Sequence, residues 1–197
     1  MRFFDSSIWV PLERFGDVQQ GATLSRVRDV QGGELSIIHI RDLDGLDVNT
    51  ELERDKYAKE KIDRYLTQQN DVLVSLRANP VKASVVTAAA GGSLVGSNLA
   101  IVRPYPEVDP YFLAGLLRSD FINQRLNALI GGSVIPSLSV AALRKFELPL
   151  VPREQQSILA QSFCSLERYK SLTDKLVTAR GQQLEAHLSH LFETSYD

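Results

Sequence analysis

The last quarter of the chain carries the sequence pattern that most restricts its fold. After Pro152 there is no proline and one glycine, Gly181, while apolar residues recur at three- and four-residue steps. That spacing predicts a single amphipathic helix of roughly 40 residues, on the order of 60 Å long. The rest of the chain is too small to cover such a helix, so we expect residues 153–197 to pair with a partner helix in a coiled coil. The alternative, that the helix folds back on its own domain, is reasonable only for the first half of the helix.

Partner contacts are expected along the apolar stripe of this helix. The residues that we predict at the helix interface are Leu159, Phe163, Leu166, Tyr169, Leu172, Leu176, Leu184 and Leu188. Gly181 lies within the same stretch, where a glycine costs about 1 kcal/mol relative to alanine. We interpret it as either a close helix crossing or a break in the helix.

The preceding residues, 1–152, have the pattern of an α+β domain. Short apolar or alternating runs bounded by turn residues predict strands, and these runs cover residues 9–12, 35–40, 71–76, 83–86, 99–102 and 146–150. Helices are predicted from Asp109-Pro110, because proline suits a first helical position, and over residues 121–129 and 138–143. Gly131 and Gly132 are expected to end the second of these. Residues 51–65 are charge-rich, and their secondary structure stays open.

Composition excludes several classes of protein. The chain has 197 residues, of which 44% are hydrophobic and 23% are charged, as in an ordinary globular domain. No apolar run approaches the roughly 20 residues that cross a membrane, and the first residues lack the apolar stretch of a secretory signal. A single cysteine, Cys164, excludes a disulfide framework and a thiolate metal cluster. We expect a cytoplasmic protein.

The charge distribution indicates a local basic surface. The formal net charge is −2, which argues against bulk electrostatic binding of nucleic acid. Residues 72–146, however, contain seven basic and three acidic side chains, an excess of four positive charges. Such a surface can bind phosphates on a protein that is acidic overall. The alternative is that these charges are scattered over solvated faces.

The sequence contains no convincing motif for catalysis or cofactor binding. Asn79-Pro80 lacks the second proline and the aromatic residue of an amino-methyltransferase motif, and no acidic residue has a lysine two positions later, as in the usual nuclease pattern. The glycine pairs at 91–92 and 131–132 lack the following lysine of a phosphate loop. His187 and His190 have a spacing that permits a metal pair, but a solvated helix face is the more common outcome. We therefore expect no enzyme activity, no metal and no cofactor.

Several short blocks resemble the specificity subunits of type I restriction-modification systems. They occur in the family's order over residues 9–158: Trp9-Val10-Pro11-Leu12, Gly16-Asp17-Val18 with Gly21, Ile38-His39-Ile40-Arg41-Asp42-Leu43, Asn70-Asp71-Val72-Leu73-Val74-Ser75, Asn98-Leu99-Ala100-Ile101-Val102-Arg103-Pro104, Gly132-Ser133 with Pro136 and Leu138-Ser139, and Leu148-Pro149-Leu150-Val151-Pro152-Arg153-Glu154-Gln155-Gln156-Ser157-Ile158. Asn70 stands where the family usually has glycine. Each block is weak alone, but the ordered set is specific.

The resemblance implies a target-recognition domain joined to a helix that forms part of a coiled coil. It implies sequence-specific binding of double-stranded DNA and assembly with a type I DNA methyltransferase subunit, which would use S-adenosylmethionine. In full assemblies it also implies a motor-nuclease subunit. Family subunits carry two recognition domains and two helices, whereas this sequence has one of each, so we expect a half-subunit that forms a homodimer. A fragment, a pairing with a different half, a decoy or scaffold acting through the helix alone, and an enzyme with an unrecognised site stay open.

DNA reading requires hydrogen-bonding side chains on loops that a rigid sheet holds. Arginine pairs with guanine and Asn or Gln with adenine, while Lys and Ser contact phosphates. The predicted contact residues follow or precede strands: His39, Arg41, Ser75, Arg77, Asn79, Lys82, Ser97 and Asn98. Arg77 and Lys82 are favoured because no acidic residue lies between Val72 and Arg103. The alternative for the two serines and Asn98 is that they satisfy turn backbone.

Overall fold

The computed structural model describes residues 8–58, 62–130 and 137–193. Within these ranges the strands are β1 (Trp9–Pro11), β2 (Gly16–Gln20), β3 (Arg28–Ile38), β4 (Glu53–Tyr57), β5 (Val72–Ser75), β6 (Ala83–Val85), β7 (Leu94–Val95), β8 (Leu99–Pro104) and β9 (Glu147–Pro149). The helices are α1 (Leu24–Val27), α2 (Pro110–Arg118), α3 (Asp120–Ile130), α4 (Val140–Lys145) and α5 (Arg153–Glu193). The helix stop predicted at Gly131-Gly132 and the block Gly132-Ser133 with Pro136 lie outside the described residues.

The centre of the domain is an antiparallel four-stranded sheet in the order β2-β8-β5-β6. A second sheet, in the order β4-β3-β7, contains a parallel pair between β3 and β7. A small antiparallel pair, β1 with β9, joins the start of the domain to the residues that precede α5. The mixture of a β-rich domain and a long carboxy-terminal helix confirms the α+β prediction.

Residues on β5 alternate between two hydrophobic clusters, because successive side chains of a strand point to opposite faces. Val72 and Val74 belong to the cluster that α2, α3 and the start of α5 cover. Leu73 packs on the other face, in the cluster that contains Ile38. The central sheet is therefore covered on both faces, which explains why β5 is an uninterrupted apolar run rather than an alternating one.

Local sequence explains where α2 begins. The carboxylate of Asp109 accepts hydrogen bonds from the backbone amides of Tyr111 and Phe112 at 2.9 and 3.1 Å, and Pro110 occupies the first turn. This is the capping chemistry that helix amino termini favour, and it confirms the helix start that the sequence predicts. The buried face of α2 then packs on β6 and on α5.

The amino-terminal part of α5 packs on the domain, while the remainder projects away from it. Gln156 and Ala160 are buried, and Phe163 lies directly over Gly115 of α2. A Cβ atom on Gly115 would lie 2.1 Å from Cδ2 of Phe163, so the two helices can cross this closely only because position 115 is glycine. From Arg168 to Phe192 every described side chain is exposed. The helix has 41 residues and is therefore about 60 Å long.

Three predictions about α5 require correction. Leu159 and Phe163, which we expected at a partner interface, pack against the core of their own domain. Gly181 does not break the helix, and it marks no crossing within the described part of the chain, since no described atom lies within 4 Å of a Cβ built there. The close crossing is at Gly115 instead.

The helix is long but too polar to span a membrane, and no other helix in the described ranges is long enough.

Several segments of the domain differ from the sequence prediction. β2 and the first seven residues of β3 were not predicted as strands. The strand predicted over residues 35–40 ends at Ile38, and Ile40–Asp42 forms a single-turn 3-10 helix. The carboxylate of Asp42 accepts a hydrogen bond from the amide of His39 at 2.7 Å, which turns the chain at this point. Of the ambiguous segment 51–65, Glu53–Tyr57 pairs with β3 as β4, and Asp63–Tyr65 forms another single turn.

Candidate nucleic-acid interface

One edge of the central sheet collects most of the polar side chains that the sequence analysis singled out. Strands β2 and β5 end at this edge, and β6 and β8 begin there, because all neighbouring strands run antiparallel. The register places Gln20 opposite Ala100 and Ser75 opposite Leu99. The loops that meet here carry Gln20, His39, Arg41, Arg77, Asn79, Lys82, Ser97 and Asn98, and we call this set the polar edge.

A groove of about 490 Å³ lies at the polar edge, where the turn before β8 meets the turn after β3. His39, Arg41, Ser97 and Asn98 line it together with Thr23 and Ser25. Backbone contacts fix its walls. The carbonyl of Asn98 accepts from the amide of Leu76 at 2.8 Å, and the side-chain amide of Gln20 donates to the Ser97 carbonyl at 2.8 Å. The sheet thus positions polar side chains from three loops around one groove.

Two of the groove residues share an acidic neighbour. Arg41 Nη2 donates to Glu53 Oε2 at 2.5 Å, and His39 Nε2 lies 3.6 Å from the same oxygen. That imidazole nitrogen is shielded from solvent and has no hydrogen-bond partner among the described residues. Because an exposed ion pair contributes only about 0–1 kcal/mol, Arg41 can exchange Glu53 for a phosphate or a base at little cost.

Arg77 is the cation at the polar edge that has no ion-pair partner among the described residues. It is exposed, as is Asn79, and both follow the end of β5. The preceding residue, Leu76, is fixed on both sides, since its amide donates to Asn98 and its carbonyl accepts from Leu138 at 2.8 Å. The backbone next to Arg77 is therefore fixed, and its guanidinium lies at the surface without an ion-pair partner among the described residues.

Lys82 differs from the sequence expectation. Its Nζ lies 2.5 Å from Asp44 Oδ1, so an acidic partner exists although none is close in sequence. Lys82 lies in a second groove, beside Arg118 and Lys170, between the domain and α5. Lys82 could contact a phosphate only by giving up Asp44. It is therefore a weaker candidate for DNA contact than Arg77.

Ser75 also requires correction. Its side chain is fully buried, and its Oγ accepts a hydrogen bond from the amide of Lys82 at 2.7 Å. The hydroxyl therefore supports the turn between β5 and β6 and does not reach the surface. Ser97 is half-buried and Asn98 is exposed, and both line the groove.

Much of the positive charge counted over residues 72–146 is committed to the fold. Arg103 forms a two-pronged ion pair with the buried carboxylate of Asp71 at 2.8 and 2.9 Å, and this hydrogen bonding raises the pKa of Arg103. Arg118 donates to the carbonyls of Leu43, Asp44, Gly45 and Ala83, and Arg144 donates to the carbonyl of Val18. Arg125 lies over the ring of Trp9 at 4.2 Å. Of the seven cations, Arg77 and Lys145 are exposed and have no ion pair, ring contact or hydrogen-bonded carbonyl among the described residues, and Arg77 is the one of these two at the polar edge.

Sequence reasoning missed Gln20, the last residue of β2, and two residues of the groove, Thr23 and Ser25. Thr23 and Ser25 follow β2 in a run of small and polar residues, which is a usable signal only once the pairing of β2 with β8 is known. In the described part of the chain no three acidic, histidine or cysteine side chains are grouped to hold a metal ion. Cys164 is partly buried beside the core, and burial raises the pKa of its thiol.

Comparison with known proteins gives the same indication as the polar edge. A family model described as type I restriction modification DNA specificity domain matches residues 9–186. No curated protein matches the chain by sequence.

Solved structures share the fold. A chain from work on complex assembly and conformational transition of the type I R-M system superposes with a TM-score of 0.60 at 20% identity, covering 92% of this chain and 46% of that one. The HsdS subunit from Thermoanaerobacter tengcongensis gives 0.63 at 20% identity, covering 89% and 42%. The S subunit of the type I restriction-modification system from M. genitalium gives 0.55 at 16% identity, covering 92% and 45%. The chain thus spans less than half the length of these proteins.

Proposed function

Because the chain belongs to the family of type I restriction modification DNA specificity domains, we propose that its polar edge reads a specific duplex sequence on behalf of a methyltransferase subunit. The family is the non-catalytic, DNA-recognition component of type I systems, so the chain is not itself an enzyme. The partner methyltransferase would supply S-adenosylmethionine chemistry, and this chain would need no cofactor. In a full assembly a motor-nuclease subunit would join them.

The observation that carries this proposal is the convergence of four loops at one edge of a rigid sheet. Arg77 can pair with guanine or a phosphate, and Asn98 and Asn79 can pair with adenine. Thr23, Ser25 and Ser97 have the hydroxyls that commonly bind phosphate oxygens. The polar edge therefore offers both kinds of contact, those that hold the duplex in register and those that distinguish bases.

The exposed part of α5 supports the proposal of a homodimer. Leu172, Leu176 and Leu184 are each more than half exposed, and the apolar stripe continues to Phe192. A stripe this long exceeds what soluble monomers usually expose. Two copies can cover it by pairing their helices antiparallel through one shared surface. The recognition domains would then lie at opposite ends and read the same half-site in opposite orientation, giving an interrupted palindrome.

Methylation mapping tests the function. The chain is co-expressed with a type I methyltransferase subunit from the same genome, and modified positions are mapped across the host genome. We expect methylation of one gapped sequence, which Arg77→Ala reduces or relaxes. Arg14→Ala is the matched control, because Arg14 is equally exposed but precedes the opposite end of β2. Absence of methylation, or equal effects of the two variants, would contradict the assignment of the polar edge.

Light scattering at micromolar concentration tests the dimer. Leu172→Glu should give a monomer with an intact recognition domain, whereas Gln182→Glu, which adds the same charge to an exposed position away from the stripe, should leave the dimer unchanged. A monomeric wild type, or a methylated sequence without symmetry, would instead favour a helix that packs on the methyltransferase or on a different half.

The second candidate function is a scaffold or decoy that acts through α5 alone. The exposed apolar stripe favours it, because that surface can bind a protein partner whether or not the polar edge binds DNA. Binding of duplex DNA that weakens steeply as salt rises distinguishes the two functions, since only phosphate contacts release counterions. A chain that pulls down the methyltransferase but shows no such binding is a scaffold.

A further inference from the structure

A four-residue bulge interrupts β3 at the end remote from the polar edge. Arg28 and Gly33 both pair with Tyr57 of β4, so Asp29–Gly32 have no partner of their own and project from the ribbon. We call this segment the β3 bulge. A bulge in one strand of an antiparallel pair redirects the side chains that it carries and often adjoins a functional site.

The backbone of the β3 bulge is held in one shape. A Cβ atom on Gly32 would lie 2.1 Å from the carbonyl oxygen of Tyr57, so the chain can cross β4 here only with glycine. Asp29 Oδ1 accepts from the amide of Gln31 at 2.9 Å, which closes the turn. At its base Arg28 forms an ion pair with Asp55 at 2.9 Å. The bulge is therefore a fixed projection.

The tip of this projection presents an apolar side chain and an amide side chain to solvent. Val30 is 77% exposed, the highest value among the described large hydrophobic residues. Gln31 beside it is also exposed, and its side chain has no hydrogen-bond partner within the described part of the chain. An aliphatic group fits the methyl group of thymine, and a glutamine amide pairs with adenine. Among the described residues, neither Val30 nor Gln31 packs against the rest of the domain.

The charges and the position of the bulge favour DNA over a protein partner. Arg26 and Lys56 flank it, are exposed and have no ion pair among the described residues. Three acidic neighbours are engaged within the ribbon: Asp29, Asp55 and Glu34, which lies opposite Lys56 in the register but pairs with Arg54. Helix α1, which leads into the bulge, begins at Leu24 on the wall of the polar-edge groove. From Gly33 to Ile38 the strand rises about 17 Å, equal to about five base pairs of B-DNA at 3.4 Å each.

We propose that the β3 bulge is a second base-reading element, in which Val30 and Gln31 determine specificity at one or two base pairs that lie about five base pairs from those under the polar edge. This inference rests on the proposed function, because it assumes that the polar edge binds duplex DNA. Arg26 and Lys56 supply the flanking phosphate contacts that hold the tip against the duplex.

The test compares the sequences that wild type, Val30→Ser and Gln31→Ala select from a randomised duplex pool, each as the full chain. Gln69→Ala is the matched control, since Gln69 is equally exposed and lies on a turn away from the bulge and the polar edge. Each tip variant should lose roughly tenfold or more of its discrimination at one or two positions, with little change in binding to non-target duplex. Thermal melting should be unchanged, because neither side chain is packed.

Each outcome has a distinct meaning. Relaxation confined to the tip variants supports the inference. Selection identical to that of wild type overturns it and leaves the proposed function intact. Unchanged selection with loss of the co-purified methyltransferase overturns it in favour of a protein contact at the tip. A wild type that selects no sequence contradicts the proposed function itself.

Discussion

Replacing Gly115 by alanine tests the close crossing that fixes α5 on the recognition domain. The added Cβ would lie 2.1 Å from Cδ2 and 2.3 Å from Cγ of Phe163. Because Cγ is bonded directly to the Cβ of Phe163, a rotation of the ring alone cannot relieve the clash. Overpacking of this kind costs about 1–3 kcal/mol, and the better helix propensity of alanine offsets about 1 kcal/mol of that. We expect a net loss of up to about 2 kcal/mol of unfolding free energy, or up to roughly 8 °C in Tm.

The sign of the effect should reverse in two matched settings. In a Phe163→Ala background the ring is gone, so Gly115→Ala should stabilise the protein by up to about 1 kcal/mol. Gly181→Ala should also be neutral or stabilising, because no atom lies within 4 Å of a Cβ there. Urea unfolding monitored by circular dichroism measures all four variants. If Gly115→Ala stabilises wild type as Gly181→Ala does, the helices do not cross as described.

Three further predictions concern polar groups within the domain. Asp71→Asn should lower the unfolding free energy by about 2–3 kcal/mol, because Arg103 loses its charged partner; urea titration checks it, and a loss below about 0.5 kcal/mol would contradict it. Arg118→Ala should cost a similar amount by leaving several carbonyls unsatisfied, and Arg118→Lys should recover little, since an ammonium lacks the planar fork. Burial, with a hydrogen bond to Asp47, raises the pKa of Tyr111 to about 12 from 10. The folded state thus favours the neutral phenol, so this part of the stability is complete below pH 10 and is lost between pH 10 and 12. Tyr111→Phe should lack that alkaline loss in stability measured against pH, and an identical curve for both proteins would refute the prediction.

Local signals in the sequence identified the elements that local chemistry determines. Asp109 and Pro110 predicted the start of α2, because capping depends on adjacent residues. The apolar run over residues 71–76 predicted a strand, which is β5, and the periodic apolar residues after Pro152 predicted α5. The resemblance in ordered blocks supplied the family, which composition alone could not.

Long-range pairing explains what the sequence could not predict. Lys82 finds Asp44, 38 positions earlier in the chain, and that contact depends on how the loop after β3 packs beside β6. Ser75 is buried because the central sheet is covered on both faces, which a hydroxyl at the end of an apolar run does not reveal. Arg118 counted as surface charge in the sequence, yet it donates to a carbonyl of the loop after β3 and to the carbonyl of Ala83 in β6. The surroundings of Ser75, Lys82 and Arg118 thus depend on contacts between distant parts of the chain, and DNA contact by the remaining candidates stays a prediction.

Equilibrium binding of the purified chain to its selected duplex, at a series of salt concentrations, tests the central claim most directly. If the polar edge binds DNA, log affinity should fall linearly with log salt, and Arg77→Ala should weaken binding. Loss of a phosphate contact would reduce the slope by about one, whereas loss of a base contact would cost about 1–3 kcal/mol on the target alone. Arg14→Ala should bind as wild type does. Salt-independent binding, or an Arg77→Ala variant that binds as tightly as Arg14→Ala, would contradict the account.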